Sequence, residues 1–278
     1  MMIKDILVHV DATPAAGRRL DLALSLAERT EAHVVGLYVD SFEQMLMYSD
    51  VYAVASLMEV VAEEAAREGA AAEARFQEEI AGRAVTTEWR AVKGLTDRKI
   101  AEHARYADLV VVGQNDPEEP ATGSAARVPE VVPLTSGKPC LVVPHAQGPA
   151  GFGDKILVAW DGSREASRAV ADAMPLLRAA GRVTIAQIKA PTGDPFASSL
   201  DLTAFAAHLA RHGIDLETRT EAAEGRSVAQ SLLALAGELS ADLIVMGAYG
   251  HARLRELILG GVTSEILTRM TLPVLMSH

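Results

Sequence analysis

The chain has 278 residues, of which 49% are hydrophobic and 23% charged, and its mean hydropathy is +0.15. This ordinary globular composition, at about twice the length of a typical domain, predicts two domains that each bury a core. The single cysteine, Cys140, excludes a disulfide framework and a cysteine-rich zinc site, and it fits a reducing compartment.

The formal net charge is −11 and the pI is near 5.2. Residues 1–150 carry 14 Lys/Arg against 23 Asp/Glu, whereas residues 151–278 carry 12 against 14. An acidic surface repels a phosphate backbone, so we expect no nucleic-acid partner. The most apolar long stretch, 45–62, contains Asp50 and Glu59, so we expect no membrane span and a cytoplasmic protein.

The sequence repeats itself at two different offsets. The segment ILVHVD at 6–11 is similar to ILVAWD at 156–161, with an offset of 150 residues. The segment ADLVVVG at 107–113 is similar to ADLIVMG at 241–247, with an offset of 134 residues. One fold therefore occurs twice, and the first copy is about 16 residues longer in its middle. The Gly- and Pro-containing stretch 147–154 reads as a linker, which predicts domains over 1–146 and 154–278.

Each copy alternates short apolar strands with helical segments. The first copy opens with a strand near 3–10, carries its extra residues in the Glu- and Ala-rich segment 44–82, and continues with strands near 106–113 and 138–144. We predict an extended or broken amphipathic helix over 44–82, with Gly69 near its middle. In the second copy the predicted elements are strands at 156–160, 183–188, 216–222, 242–247 and 273–276, separated by helices from 164, near 198–212, at 226–238 and at 252–269.

Apolar strands of four to six residues that alternate with helices are typical of a parallel sheet covered on both faces. With right-handed crossovers, this order predicts an α/β protein made of two tandem, doubly wound, five-stranded parallel-sheet sandwiches.

Glycines mark the turn after the fourth strand of the second copy. Gly247 and Gly250 allow a tight turn, and Gly260 and Gly261 precede Thr263 in a segment that starts a helix. Backbone N–H groups at such a helix start can cradle a phosphate. The residues alone leave open whether these glycines bind a phosphate or only make turns.

The strand followed by Asp161-Gly-Ser, together with a G-x2-G-x9-G pattern at 247, 250 and 260, resembles the universal stress protein family over essentially the whole chain. The resemblance implies a Rossmann-like, adenine nucleotide alpha hydrolase-like fold that binds ATP, with or without Mg²⁺, and whose domains pair through their last strands. It implies that adenine lies against Asp161 and a backbone group near Ile188. The residues implied for ribose and phosphates are Met246, Gly247, Gly250, Gly260, Gly261, Val262 and Thr263.

Two departures from the family pattern affect the expected sites. Gly261 stands where the family usually has Ser or Thr, which removes one hydroxyl and weakens the second-copy site without abolishing it. In the first copy Asp11 and Gly113 remain, but Asp116 replaces the second glycine. The carboxylates and prolines of that loop, at Asp116, Pro117, Glu118, Glu119 and Pro120, predict that the first copy does not bind a nucleotide. Without a nucleotide, we expect Asp11 to be a turn and helix-cap residue. Thr13, which follows it, is the predicted N-cap of the next helix.

Other constellations are weaker. His208 and His212 are four residues apart on a predicted helix, but no third ligand follows, so a solvated helix face is favoured over a metal site. Asp161 and Ser163 lack an activating histidine nearby, and we predict no catalytic residue. We therefore expect a tandem, ATP-binding, stress-response regulatory module with an unidentified protein partner. A homodimer fits this expectation, and the alternatives are a ligand-free scaffold and a slow ATPase in the same pocket.

Overall fold

A computed structural model describes residues 2–41, 55–118, 123–146, 151–189, 202–223, 225–250 and 261–278. The chain divides into two compact units, Met2–Lys138 and Pro139–His278. Each unit alternates strands with helices.

The Met2–Lys138 unit contains a parallel sheet in the order β3-β2-β1-β4. The interior residues of β1 and β4 are buried, which explains their unbroken apolar runs. The elements are β1 (Asp5–His9), α1 (Ala15–Thr30), β2 (His33–Asp40), α2 (Ala55–Ile80), β3 (Thr87–Lys93), α3 (Thr96–Ala104), β4 (Leu109–Gly113) and α4 (Val128–Thr135).

The Pro139–His278 unit contains a sheet in the order β5-β10-β9-β6-β7-β8. Its strands are parallel except that β10 pairs antiparallel with β5, with Val274 opposite Val142. The elements are β5 (Cys140–Val143), β6 (Lys155–Ala159), α5 (Arg164–Ala179), β7 (Arg182–Lys189), α6 (Leu202–Arg211), β8 (Leu216–Ala222), α7 (Val228–Glu238), β9 (Leu243–Gly247), α8 (Gly261–Arg269) and β10 (Val274–Ser277).

The predicted α/β fold with alternating strands and helices is confirmed. One strand differs from the sequence assignment: β5 ends the first sequence copy, yet it belongs to the compact unit of the second. Its hydrogen bonds to β10 account for this placement.

The described part of the predicted segment 44–82 is one continuous helix, α2, that passes through Gly69 without a break. A Cβ atom at Gly69 would lie 3.1 Å from the Tyr38 ring, so the glycine allows α2 to approach β2. Further along α2, Phe76 is fully buried and its ring centroid lies 5.2 Å from that of Trp89. Residues 44–54 lie outside the described residues.

The remaining local predictions have a mixed outcome. Helix α6 begins at Leu202 and α8 at Gly261, and residues 198–201 and 252–260 of the predicted helices lie outside the described residues, as do 147–150 of the linker. The predicted N-cap at Thr13 is wrong, because α1 begins at Ala15 and the Thr13 hydroxyl donates to Asp11 instead. Among the described helices, none has the length and apolar character needed to cross a membrane.

Candidate functional site

Three predicted site segments lie at one edge of the second sheet. Strand β6 pairs with both β7 and β9, so the carboxyl ends of these three parallel strands are neighbours. Asp161 follows β6, Ile188 lies near the end of β7, and Gly247 ends β9. Ligands of doubly wound sheets bind at this edge.

Asp161 shapes the turn that leads into α5. Its Oδ1 atom accepts a hydrogen bond from the Ser163 backbone N–H at 2.9 Å, and the Ser163 hydroxyl accepts one from the Ala166 N–H at 3.1 Å. Ser163 is therefore the N-cap of α5, while Asp161 organises the turn before it. The Asp161 side chain is exposed at this edge.

The glycine turn after β9 is fixed to the start of α5. A Cβ atom at Gly247 would lie 2.5 Å from the Ala166 nitrogen and 2.6 Å from the Glu165 carbonyl carbon, so no side chain fits there. A Cβ atom at Gly250 would lie 3.4 Å from both Glu165 Oε2 and Ser163 Oγ. The structure thus brings Gly247 and Gly250 against the first turn of α5.

The same turn is linked to the start of α8. Tyr249 has a positive φ of 57°, a strained backbone conformation for a bulky residue, and its N–H donates to the Thr263 hydroxyl at 3.2 Å. Thr263 is buried, whereas Val262 beside it is exposed. Around Gly261, the first residue of α8, the space at a Cβ position is open.

Two further predicted residues contribute in other ways. Met246 is buried in β9 opposite Met276 of β10, so its backbone, not its side chain, is what the sheet edge presents. Ile188 is half-buried in β7 and pairs with Glu221 of β8. Gly260 lies outside the described residues.

Glu165 is a site residue that the sequence reasoning missed. Its side chain is only 6% exposed, it forms an ion pair with Arg164, and its carboxylate lies beside Gly250. Burial acts to raise the pKa of Glu165, but the hydrogen bond from Arg164, the residue's own backbone N–H and His278 outweigh it and lower the pKa. A negative charge therefore lies beside the glycine turn at neutral pH.

His278 contacts the same turn, since its Nδ1 atom lies 2.9 Å from the Ala248 carbonyl oxygen. The signal for Glu165 was available in the sequence. The helix after β6 must start at the same sheet edge as the glycine turn, so an acidic residue two positions after the Ser163 cap was a candidate neighbour.

An aromatic stack lies next to Asp161. Trp160 is buried, and its ring is nearly parallel to that of Phe205 on α6, with the ring centroids 3.6 Å apart. The stack packs α6 over the end of β6.

The equivalent edge of the first unit has different chemistry. The Asp11 carboxylate accepts the Thr13 N–H at 3.0 Å and forms an ion pair with Arg19 Nη2 at 2.7 Å. The guanidinium of Arg19 also donates from Nε to the His9 carbonyl at 3.0 Å, and it fills the space where a side chain at Gly113 would lie. Asp11 is thus an internal ion-pair residue.

Burial acts in opposite directions on the pKa values of the two titratable groups of this cluster, yet both pKa values are lowered. It lowers the pKa of His9 to about 4, so the imidazole is neutral at pH 7. It acts to raise the pKa of Asp11, but Arg19, His9 and Thr13 together lower that pKa to about 2. Residues of this cluster line a cavity of about 210 Å³.

The model of one family, described as the universal stress protein family, matches the chain twice, over residues 2–144 and 153–278. The chain belongs to the universal stress protein family. The two matches make it a tandem member, with one family fold in each sequence copy.

Relatives of the same family agree with this assignment. The universal stress protein Slr1230 of Synechocystis is 26% identical over 170 residues, which are 60% of this chain and 57% of the relative, so the match spans little more than half of that protein. A universal stress protein of Archaeoglobus fulgidus shares the fold over 99% of this chain and 96% of its own, with a TM-score of 0.73 at 17% identity. A putative universal stress protein of Pseudomonas aeruginosa covers 99% and 93%, with a TM-score of 0.58 at 18% identity.

The histidine pair of this universal stress protein lies on α6. The rings of His208 and His212 are 4.8 Å apart in an edge-to-face arrangement, and Arg178 lies 3.4 Å from His212 Nδ1. In the part of the chain that the structure describes, no three His, Cys, Asp or Glu side chains are grouped to hold a metal ion.

Proposed function

We propose that this tandem universal stress protein is an ATP-binding regulatory module that acts in the cytoplasm, with its nucleotide site in the Pro139–His278 unit. The observation that carries the proposal is the glycine turn after β9. Gly247 fixes this turn to the start of α5, and the Tyr249–Thr263 hydrogen bond links it to α8. Two helix starts therefore converge on one glycine-containing turn, which is an arrangement suited to an anion.

The proposed ligand positions follow from the family resemblance and the sheet edge. Adenine would lie against Asp161 and the backbone near Ile188, and the ribose and phosphates along the turn toward α8. The residues proposed for that second part are Met246, Gly247, Gly250, Gly260, Gly261, Val262 and Thr263.

Regulation would come from the link between the turn and α8. A phosphate that orders the turn also acts on Thr263 through the Tyr249 N–H, and so on the exposed surface at Val262. This gives the ligand a means to change what α8 presents to a protein partner or to a second copy of the chain.

The experiment is a titration of ATP by calorimetry, combined with native mass spectrometry to count bound nucleotides. We expect one ATP per chain, and a loss of binding of at least tenfold in Asp161→Ala and in Gly250→Val. Asp11→Asn is the matched control, since Asp11 is the first-copy equivalent of Asp161. Two nucleotides per chain, or unchanged binding in Asp161→Ala, would contradict the assignment, and no binding at all would favour a ligand-free scaffold.

Slow ATP hydrolysis in the same pocket is a second candidate, favoured by Glu165. A charged carboxylate beside the glycine turn, with His278 nearby, is the kind of pair that could hold Mg²⁺ or orient a water. Release of ADP in the presence of Mg²⁺ tests this function. Glu165→Gln should then abolish turnover while ATP still binds.

A further inference from the structure

Strand β8 is the last strand in the sheet order of the Pro139–His278 unit, and it pairs with β7 on one side. Within the described residues, no strand pairs with its other side. Residues 217–220 are all exposed. A strand edge of this kind presents backbone donors and acceptors to another extended chain, so β8 is a surface on which a partner strand can add.

The outward backbone groups of β8 follow from its bonds to β7. The Ala223 N–H donates to the Lys189 carbonyl at 2.9 Å, so the backbone groups of residue 223 point toward β7. Successive residues of a strand direct these groups to opposite edges. The N–H and C=O groups of Thr218, Thr220 and Ala222 therefore point away from β7.

The charges of β8 alternate in sign along one face of the strand. Glu217, Arg219 and Glu221 share that face, because side chains two residues apart point the same way. In the part of the chain that the structure describes, Arg219 forms no ion pair. Charges of one sign along an edge would prevent two copies from pairing, whereas alternating signs allow it.

The outer strand of the first unit, β3, is different. Its Arg90 donates from Nε to Glu88 Oε1 at 2.7 Å and from Nη2 to Oε2 at 2.9 Å, so the arginine is neutralised within its own strand. β3 also ends in Lys93, and lysine is a residue that natural edge strands use against pairing. The sequence of β8 contains neither lysine nor proline.

Two antiparallel copies of β8 would form two kinds of residue pair. The even-numbered residues have outward backbone groups and would form the hydrogen-bonded pairs. The odd-numbered residues would form the other pairs, in which the facing side chains are closer. A two-fold axis at Arg219 is unfavourable, because it sets Arg219 against itself and Glu217 against Glu221.

The charges also distinguish between the two neighbouring axes. An axis at Thr218 pairs Glu217 with Arg219 but sets Glu221 against Asp215. An axis at Thr220 pairs Arg219 with Glu221 twice. From residue 217 to residue 223, this second register places no like charges opposite each other.

We propose that β8 pairs antiparallel with β8 of a second copy of this chain, about a two-fold axis at Thr220. Thr220 then hydrogen-bonds to its own counterpart, and each Arg219 faces Glu221 of the second copy. Opposite charges in such facing pairs stabilise a sheet. One strand pair buries less surface than a standard interface, so the dimer is weak and reversible. It needs no nucleotide and goes beyond the proposed ATP site.

Sedimentation equilibrium of the full chain without nucleotide tests the proposal. We expect a dimer fraction that rises between about 1 and 500 µM protein and falls with salt. Arg219→Glu and Glu221→Arg should each weaken the dimer at least tenfold, because each sets like charges opposite each other. An equimolar mixture of the two variants should dimerise again, because every facing pair then has opposite charges.

Three results of this series would overturn the proposal. The first is a parent protein that stays monomeric up to about 500 µM, where even a weak dimer forms. The second is a mixture of the two variants that does not regain affinity. The third is a tighter dimer of Glu221→Arg, which would place the axis at Thr218, where position 221 faces Asp215.

A proline at each outer strand separates edge pairing from other contacts. Thr220→Pro removes an outward N–H, leaves the bonds to β7 in place and should abolish the dimer, with a thermal midpoint within a few degrees of the parent value. Ala91→Pro is the matched control on β3. The Gly94 N–H donates to the Asp40 carbonyl of β2, so the Ala91 N–H points outward, and this variant should dimerise within twofold of the parent. A dimer that survives Thr220→Pro, or that is lost in Ala91→Pro, would contradict the assignment to β8.

Discussion

Replacing Glu165 by glutamine should tighten ATP binding when Mg²⁺ is absent. The side chain is nearly buried, carries a negative charge and lies beside Gly250, where the proposed phosphates pass. Glutamine has almost the same shape, so the change removes the charge and keeps the packing against the glycine turn. Mg²⁺ would screen the repulsion or be bound by the carboxylate, so EDTA is needed to expose the effect.

The expected magnitude follows from Coulomb's law and two corrections. Two unit charges about 5 Å apart interact with about 3 kcal/mol at an effective dielectric constant of about 20. The Arg164 guanidinium offsets part of this repulsion, and since Arg164 is 76% exposed, solvent screens the remainder further. A net gain of about 1–1.5 kcal/mol remains, which corresponds to a five- to tenfold lower Kd.

The assay is a calorimetric ATP titration of both proteins in EDTA at low and at high salt. The difference between them should shrink as salt rises, because screening weakens the repulsion. Glu238→Gln, an exposed change at the end of α7, is the matched control and should bind ATP as the parent protein does. A Kd for Glu165→Gln that equals or exceeds the parent value in EDTA would refute the reasoning.

Three other predictions concern the glycines and the buried histidine. Gly261→Ser should tighten ATP binding by up to about tenfold, because the space at its Cβ is open and a hydroxyl adds about 0.5–1.5 kcal/mol; calorimetry checks this. Gly247→Ala should lower the free energy of unfolding by about 1–3 kcal/mol, because its Cβ overlaps the backbone of α5, whereas Gly237→Ala, with open space inside α7, should raise it by about 0.5–1 kcal/mol; urea denaturation distinguishes them. Since the pKa of His9 is about 4 in the fold and 6.5 unfolded, protons bind the unfolded state first as the pH falls, and stability should drop by about 2 kcal/mol between pH 7.5 and pH 5. That part of the drop should be absent in His9→Gln, measured by urea midpoints at both pH values.

Periodic features of the sequence predicted the fold well. Strands such as β6 and β9 are buried on both faces of a parallel sheet and therefore consist of unbroken apolar runs. Their positions can be predicted from the order of apolar residues along the chain. The repeat offsets located the same strands twice. The apolar pattern alone could not indicate the partner of β5, because such a strand has the same pattern whichever neighbour it pairs with. The family resemblance did indicate it, since it implies that the last strands of the two copies pair, as β5 and β10 do.

The candidate site was predictable only in its backbone. A glycine is needed where the backbone leaves no room for a side chain, and this need is visible in the sequence. Gly247 is such a position, because α5 starts directly against it. Side-chain contacts across elements are indicated only indirectly, by where each element begins. Glu165 reaches the turn from the far end of the repeat, and Thr13 bonds to Asp11 instead of capping α1 because Asp11 lies within reach of its hydroxyl.

Arg19 accounts for one difference between the two copies. Arg19 occupies the position that Ala169 holds in the second copy, and its guanidinium extends to Gly113, where the second copy has the backbone of α5 against Gly247. The guanidinium binds Asp11, whereas the equivalent Asp161 is exposed. The arginine in the first copy thus places the aspartate after the first strand in an ion pair, whereas the second copy, with an alanine at that position, leaves the equivalent aspartate exposed. The glycine that gives the arginine this space is present in both copies.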